Sequence, residues 1–176
     1  MLLCLVKMEK DLWNPHARRM TTGTLAIALE REHREIGEGI AAFLAGQHER
    51  RGGTEQLTRA ITALRRHIFL EEEFLFPPLR DAGLVAPVFV MLREHGEIWD
   101  TIDALQARLA TDAIGVASSE ICEQLLEQLE RHNAKEEPIL YPQADDVLTT
   151  SASASLEAFL AVGEMPAGWI CAQAGA

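Results

Sequence analysis

Arg66-His67-Ile68-Phe69-Leu70-Glu71-Glu72, running on into Phe76-Pro77, sets a histidine and a glutamate four residues apart within an apolar run. On a helix that spacing projects both side chains from one face, the face that Leu57, Ile61 and Leu64 also occupy. The arrangement returns at Arg131-His132-Asn133-Ala134-Lys135-Glu136-Glu137, ahead of Tyr141-Pro142. Before each copy stands a lone histidine in matching context: Arg31-Glu32-His33-Arg34-Glu35-Ile36 and Arg93-Glu94-His95-Gly96-Glu97-Ile98. Two such halves facing each other would gather four imidazoles and two carboxylates into a pseudo-symmetric site for two metal ions.

Working outward, four segments carry a helical period. The first, roughly Thr22 to Ala45, lines up Leu25, Leu29, His33, Ile36, Ile40 and Phe43. The second, roughly Thr54 to Leu79, lines up Leu57, Ile61, Leu64, His67, Glu71 and Phe74, with Pro77-Pro78 and Gly83 as breakers. The third starts near Pro87 and aligns Val88, Met91, His95, Ile98, Ile102 and Leu105. The fourth follows Gly115 and Ser118-Ser119, with Ile121, Leu125, Gln128 or Leu129, His132, Glu136 and Ile139; Pro138 should kink it or open its last turns. The expected fold is all-α: an antiparallel up-down-up-down four-helix bundle with a short C-terminal helical extension. Residues 1–148 form the bundle unit, with its core at 22–142. Residues 149–176 read as a linker from Thr149 to Ser155, a short helix from Leu156 to Val162, and a tail holding Trp169.

Composition narrows the classes of function. The chain has 176 residues, enough for one sizeable core. Lys plus Arg total 16 against 27 Asp plus Glu, a formal charge of −11 that argues against nucleic acid or an anionic membrane surface as partner. Cys4, Cys122 and Cys171 are an odd number without CxxC spacing, which speaks against a disulfide framework and a thiolate zinc site. The apolar opening Met1 to Val6 is shorter than a signal-peptide core, and no stretch reaches membrane-spanning length. A cytoplasmic protein with reduced thiols is expected.

The chemistry lies in where the polar residues fall. His33, His67, Glu71, His95, His132 and Glu136 are each in phase with the apolar stripe of their own helix. Burying six ionisable groups is costly unless they have partners, and metal ions would provide them. Singly, a core histidine is more often hydrogen-bonded than ligating, and one His-x-x-x-Glu is more often a surface pair. Two in-phase copies with matching lone histidines reverse that judgement. Each ion would take two histidines, with Glu71 and Glu136 bridging both. Mixed imidazole and carboxylate donors suit iron, with manganese or zinc as alternatives, and disfavour copper(I). Glu32 and Glu94 either orient ring nitrogens or, the reading preferred here, flank the core and pair with Arg31 or Arg93. Met91, Trp99 and Phe74 are read as plain packing, with keeping the site dry and restricting entry to small molecules as the alternative role for side chains of that size. His16 and His48 lie outside the repeat and are expected at the surface.

The ordered set His33, His67-x-x-x-Glu71, His95, His132-x-x-x-Glu136, with its Phe76-Pro77 and Tyr141-Pro142 stops, resembles the hemerythrin-like, or HHE cation-binding, family from about Thr22 to Pro142. The resemblance implies a four-helix bundle holding two non-haem iron ions through those six residues. Oxygen carriers of that family look to have a fifth histidine one turn before the lone histidine of the third helix. Met91 stands there in this chain, and Trp99 one turn beyond.

The leading functional expectation is a di-iron module that binds or senses oxygen, nitric oxide or iron. An enzyme acting on peroxide or nitric oxide is the alternative. A metal-free interaction bundle is the weakest, because it leaves Glu71 and Glu136 without partners. The expected partner is thus a small diatomic ligand or peroxide.

Overall fold

The computed structural model describes residues 24–48, 53–111 and 115–176, and every regular element among them is a helix. His16 and Cys4 fall outside the described residues. The elements are α1 (Thr24–His48), α2 (Thr54–Leu70), a π-helical turn (Glu71–Leu75), α3 (Phe76–Asp81), α4 (Val85–Ala110), α5 (Val116–Ile139), α6 (Tyr141–Val147) and α7 (Thr150–Val162). The long helices form a bundle in which α1 packs against α2 and α5, while α4 packs against α5 and α2.

The apolar stripes bury as the period dictates. Leu29, Ile40 and Phe43 of α1, Leu57 and Ile61 of α2, Ile102 and Leu105 of α4, and Leu125 of α5 are all fully buried. Each such side chain contributes about 1.5–3 kcal/mol relative to its exposed state. They divide into two apolar clusters. One holds Ile36, Ile40, Leu64, Ile98, Ile102 and Leu129. The other holds Leu25, Leu29, Leu70, Leu75, Phe76, Met91 and Tyr141. Along every long helix the in-phase histidine falls where one cluster gives way to the other. The polar residues therefore form a single layer between two dry slabs.

Four expectations are corrected. Pro77 and Pro78 do not end the second segment. They occupy the first turn of α3, where a missing N–H costs little, and the stop comes at Gly83 with φ +101°. There Leu84 N–H donates to the Leu79 carbonyl at 3.1 Å and Gly83 N–H to Arg80 at 2.9 Å, a Schellman closure. Phe74 is not on the ligand-side stripe. The π-turn adds one residue to the helical ring, so Leu75 and Phe76 turn inward and Phe74 packs outward against Phe69 and Phe159. Ile139 likewise is 47% exposed, because α5 ends there, just past Pro138, and Leu140 and Tyr141 take the inward places. The stretch expected as a linker begins α7, with Thr149 as its cap: the hydroxyl accepts from Ala152 N–H at 3.2 Å. Ser and Ala after such a cap suit a helix once Leu156 and Phe159 give it a face to bury.

Candidate metal centre

His33 comes from α1, His67 from the end of α2, Glu71 from the π-turn, His95 from the middle of α4, and His132 and Glu136 from the last turns of α5. The structure brings all six together, none more than 6% exposed. Donor atoms of His33, His67, Glu71 and Glu136 lie within 4.8 Å of one another, and so do those of Glu71, His95, His132 and Glu136. The two groups share both carboxylates. His33 and His67 pair edge-on with centroids 4.6 Å apart, and His95 and His132 meet tilted, at 4.9 Å.

Glu71 spans the layer, with Oε1 3.2 Å from His67 Nε2 and Oε2 3.2 Å from His95 Nε2. Glu136 Oε2 sits 3.0 Å from His132 Nε2 and 3.6 Å from His33 Nε2. All four Nε2 atoms thus point inward. The outer nitrogens each meet another carboxylate. His67 Nδ1 lies 2.8 Å from Glu32, His132 Nδ1 3.3 Å from Glu94, His95 Nδ1 3.0 Å from Glu72, and His33 Nδ1 2.9 Å from Glu137. Such a contact fixes the tautomer and ring angle of a ligating imidazole and raises its basicity. The pattern obeys the sequence repeat. The glutamate before each lone histidine holds the His-x-x-x-Glu histidine of its own half, and the glutamate after each inner carboxylate holds the lone histidine of the other half.

This corrects the expected role of Glu32 and Glu94. Arg31 pairs instead with Glu35 at 3.6 Å, while Glu32 takes Arg66 at 2.8 Å beside His67. Glu94 takes Lys135 and His132, with Arg93 only at 3.8 Å. The partners come from neighbouring helices, which local sequence does not display. Glu72 and Glu137 were not singled out, although their placement directly after Glu71 and Glu136 in both copies was a signal.

Tyr141 is the other residue that sequence reasoning left unassigned. Its hydroxyl donates to Glu71 Oε1 at 2.7 Å and lies 2.9 Å from His33 Nε2 and 3.3 Å from Glu136 Oε2. Met91 and Trp99 are buried in the apolar clusters on either side of the layer, as packing.

The electrostatics describe a set of groups built around positive charge. Burial alone would depress His67 and His132, but Glu71 and Glu32 raise the first to about 10, and Glu136 and Glu94 raise the second to about 10. Burial, together with the neighbouring His67, pushes His33 down to about 4. Burial opposes ionisation of Glu71, yet His67 and His95 hold its carboxyl well below the usual range. Burial and the Glu136 and Glu71 carboxylates push Tyr141 well above its ordinary value, so it keeps its proton.

Three inward atoms test the fit to metal. His95 Nε2 and Glu71 Oε2 face each other without a hydrogen bond of acceptable geometry, and Glu136 Oε1 has no hydrogen-bond partner. Buried polar atoms without partners are rare, and each costs about 1–3 kcal/mol. All three belong to the group Glu71, His95, His132 and Glu136, where a cation would satisfy them together. Nitrogen and carboxylate donors in this mixture fit a borderline or hard divalent ion.

No curated protein and no solved structure matches the chain. Residues 24–144 match the model of the hemerythrin HHE cation binding domain, a span that contains all six inward residues and Tyr141. By that match the chain belongs to the hemerythrin HHE cation-binding family.

Proposed function

We propose that the protein holds two metal ions, iron in both positions, through His33, His67, Glu71, His95, His132 and Glu136, and that the pair binds or senses oxygen, nitric oxide or iron itself. The observation that carries the reading is the pair of interlocked four-residue groups sharing Glu71 and Glu136. Two imidazoles and two carboxylate oxygens per ion leave positions open on a six-coordinate metal, and a bound iron pair supplies two-electron redox chemistry there. The chain's own residues orient the imidazoles through Glu32, Glu72, Glu94 and Glu137. The two apolar clusters keep bulk water out and restrict entry to molecules of a few atoms. The bundle is read as up-down-up-down with antiparallel neighbours, in keeping with the short connections 49–53, 82–84 and 111–115. Residues 1–148 form the metal-binding unit, with 149–176 appended to it. Among the described residues no helix is long and apolar enough to cross a membrane. The free thiols of Cys122 and Cys171 support a cytoplasmic setting.

A second reading, turnover of peroxide or nitric oxide, is favoured by Tyr141, whose hydroxyl keeps a proton at the middle of the layer. Metal analysis and an optical spectrum on protein purified without chelator test the first reading. About two irons per chain support it, and failure to take up iron, manganese or zinc defeats it. Sustained consumption of peroxide or nitric oxide, rather than a reversible spectral change, would decide for the second.

A further inference from the structure

The two halves of the centre differ in how the carboxylates behind their lone histidines are covered. Glu137 holds His33 with a side chain that is 35% exposed, whereas its counterpart Glu72 holds His95 with a side chain only 4% exposed. What covers Glu72 is the segment that holds Cys171 and Ala172. Cys171 Sγ donates to Glu72 Oε1 at 3.2 Å, beside the His95 contact, and Ala172 N–H donates to Glu72 Oε2 at 2.9 Å. Among the described residues, the hydrogen-bond partners of this carboxylate are therefore His95 and the segment holding Cys171 and Ala172.

The segment is anchored independently of Glu72. Trp169 Nε1 donates to Glu73 at 3.0 Å, and its ring meets Trp99 at 5.5 Å and Phe69 at 5.1 Å. Gly175 N–H donates to Asp100 at 3.0 Å. Gly96, next to His95, leaves the space the segment needs: a Cβ there would stand 2.4 Å from the Gln173 carbonyl oxygen. The other lone histidine is followed by Arg34. Sequence and packing thus break the repeat at the same place.

We propose that residues 166–176 are a positioning element of one metal position only: by clamping Glu72 they fix His95, and so set the affinity of the ion held by Glu71, His95, His132 and Glu136 apart from that of its neighbour. The inference rests on the two-metal reading above. A carboxylate held on both oxygens cannot rotate, so the His95 ring stays aligned with Nε2 inward and Nδ1–H bonded. Burial, with Glu72 adding to it, pushes the Cys171 thiol up to about 12, so it is a lasting donor rather than a reactive nucleophile.

Titration of the chelator-treated 176-residue chain with cobalt(II), followed by its visible absorption, tests this. The wild type should take two ions. Ala172→Pro removes the N–H donor, and combined with Cys171→Ala it should weaken one ion about 10- to 100-fold while leaving the other within about twofold. Cys171→Ser alone, which keeps a donor, should behave as wild type. Glu72→Gln and Glu137→Gln should weaken different ions. By linkage, loading should favour the docked tail and so slow alkylation of Cys171. Equal weakening of both ions, no weakening, or alkylation indifferent to metal would each overturn the inference while leaving the two-metal reading standing. A wild type that binds no cobalt would remove both.

Discussion

Phe76 and Tyr141 hold equivalent places in the two halves, and only one of them reaches into the polar layer. Phe76 stacks on His95 with centroids 5.2 Å apart, and Tyr141 lies beside His33 at 5.5 Å. The hydroxyl that distinguishes them donates to Glu71. Tyr141→Phe should therefore leave six ligating residues and an unchanged metal stoichiometry. The metal-free protein should lose about 1–3 kcal/mol, since a buried carboxylate loses a donor. Denaturant melts with and without metal check this; a lost metal ion would instead make Tyr141 a ligand.

His67→Ala with His132→Ala removes one nitrogen donor from each group. Tight loading should disappear at both positions, and the rise in melting temperature that metal gives the wild type should vanish. Calorimetric scans with and without iron(II) read both effects. A variant that still loads two ions tightly would place the site elsewhere.

Acidity gives a further test. In the metal-free fold His67 and His132 titrate near 10, above the 6.5 of an unfolded histidine. Their protonated forms therefore stabilise the fold fully below about pH 6.5, and that contribution drains as pH rises through about 10. Metal must displace those protons. Uptake should release protons near neutrality and tighten as pH rises from about 6 to 9. Calorimetry in buffers of different ionisation enthalpy measures the release, and an uptake that frees none would contradict the scheme.

Arg66 joins the centre to α7. Its guanidinium reaches Glu32 at 2.8 Å, the Gly163 carbonyl at 2.8 Å and the Leu160 carbonyl at 2.9 Å, and it lies 4.8 Å from the Phe159 ring. Arg66→Ala should cost about 2–3 kcal/mol. Arg66→Lys should recover little of it, because an ammonium cannot serve that fork. Urea melts of the three proteins would settle the order.

Gly96→Ala separates helix from tail. Alanine favours the interior of α4 by about 1 kcal/mol, yet its methyl would collide with the Gln173 carbonyl. The bundle should stay folded while Cys171 becomes open to alkylation. Unchanged protection of Cys171 would show that the tail yields without leaving.

The layer of six residues was legible because a histidine and a glutamate at i and i+4, in phase with Leu57 and Leu64 or with Leu125, have only one direction to face. Phe74 and Ile139 were misplaced because a fixed period of 3.6 cannot anticipate the wide turn after Glu71 or the helix end after Pro138. The Glu32–His67 and Glu94–His132 contacts join different helices, so local pattern pointed to Arg31 and Arg93 instead. The tail was unreadable for a like reason: its partners Glu72, Trp99 and Asp100 lie some 70 to 100 positions earlier in the chain, and no short motif announces them.

The π-turn from Glu71 to Leu75 has a consequence for how this chain could change. Remove one residue between Glu71 and Leu75, and those following fall three and four places after Glu71, which an ordinary helix already turns inward. The shortened chain would keep Leu75, Phe76 and Leu79 in the apolar slab. Glu137 already meets His33 from an ordinary α-helix, so Glu72 does not need the wide turn to reach His95. The extra residue is thus an insertion that packing accommodates rather than requires, and a single-codon deletion there should leave the apolar slab filled.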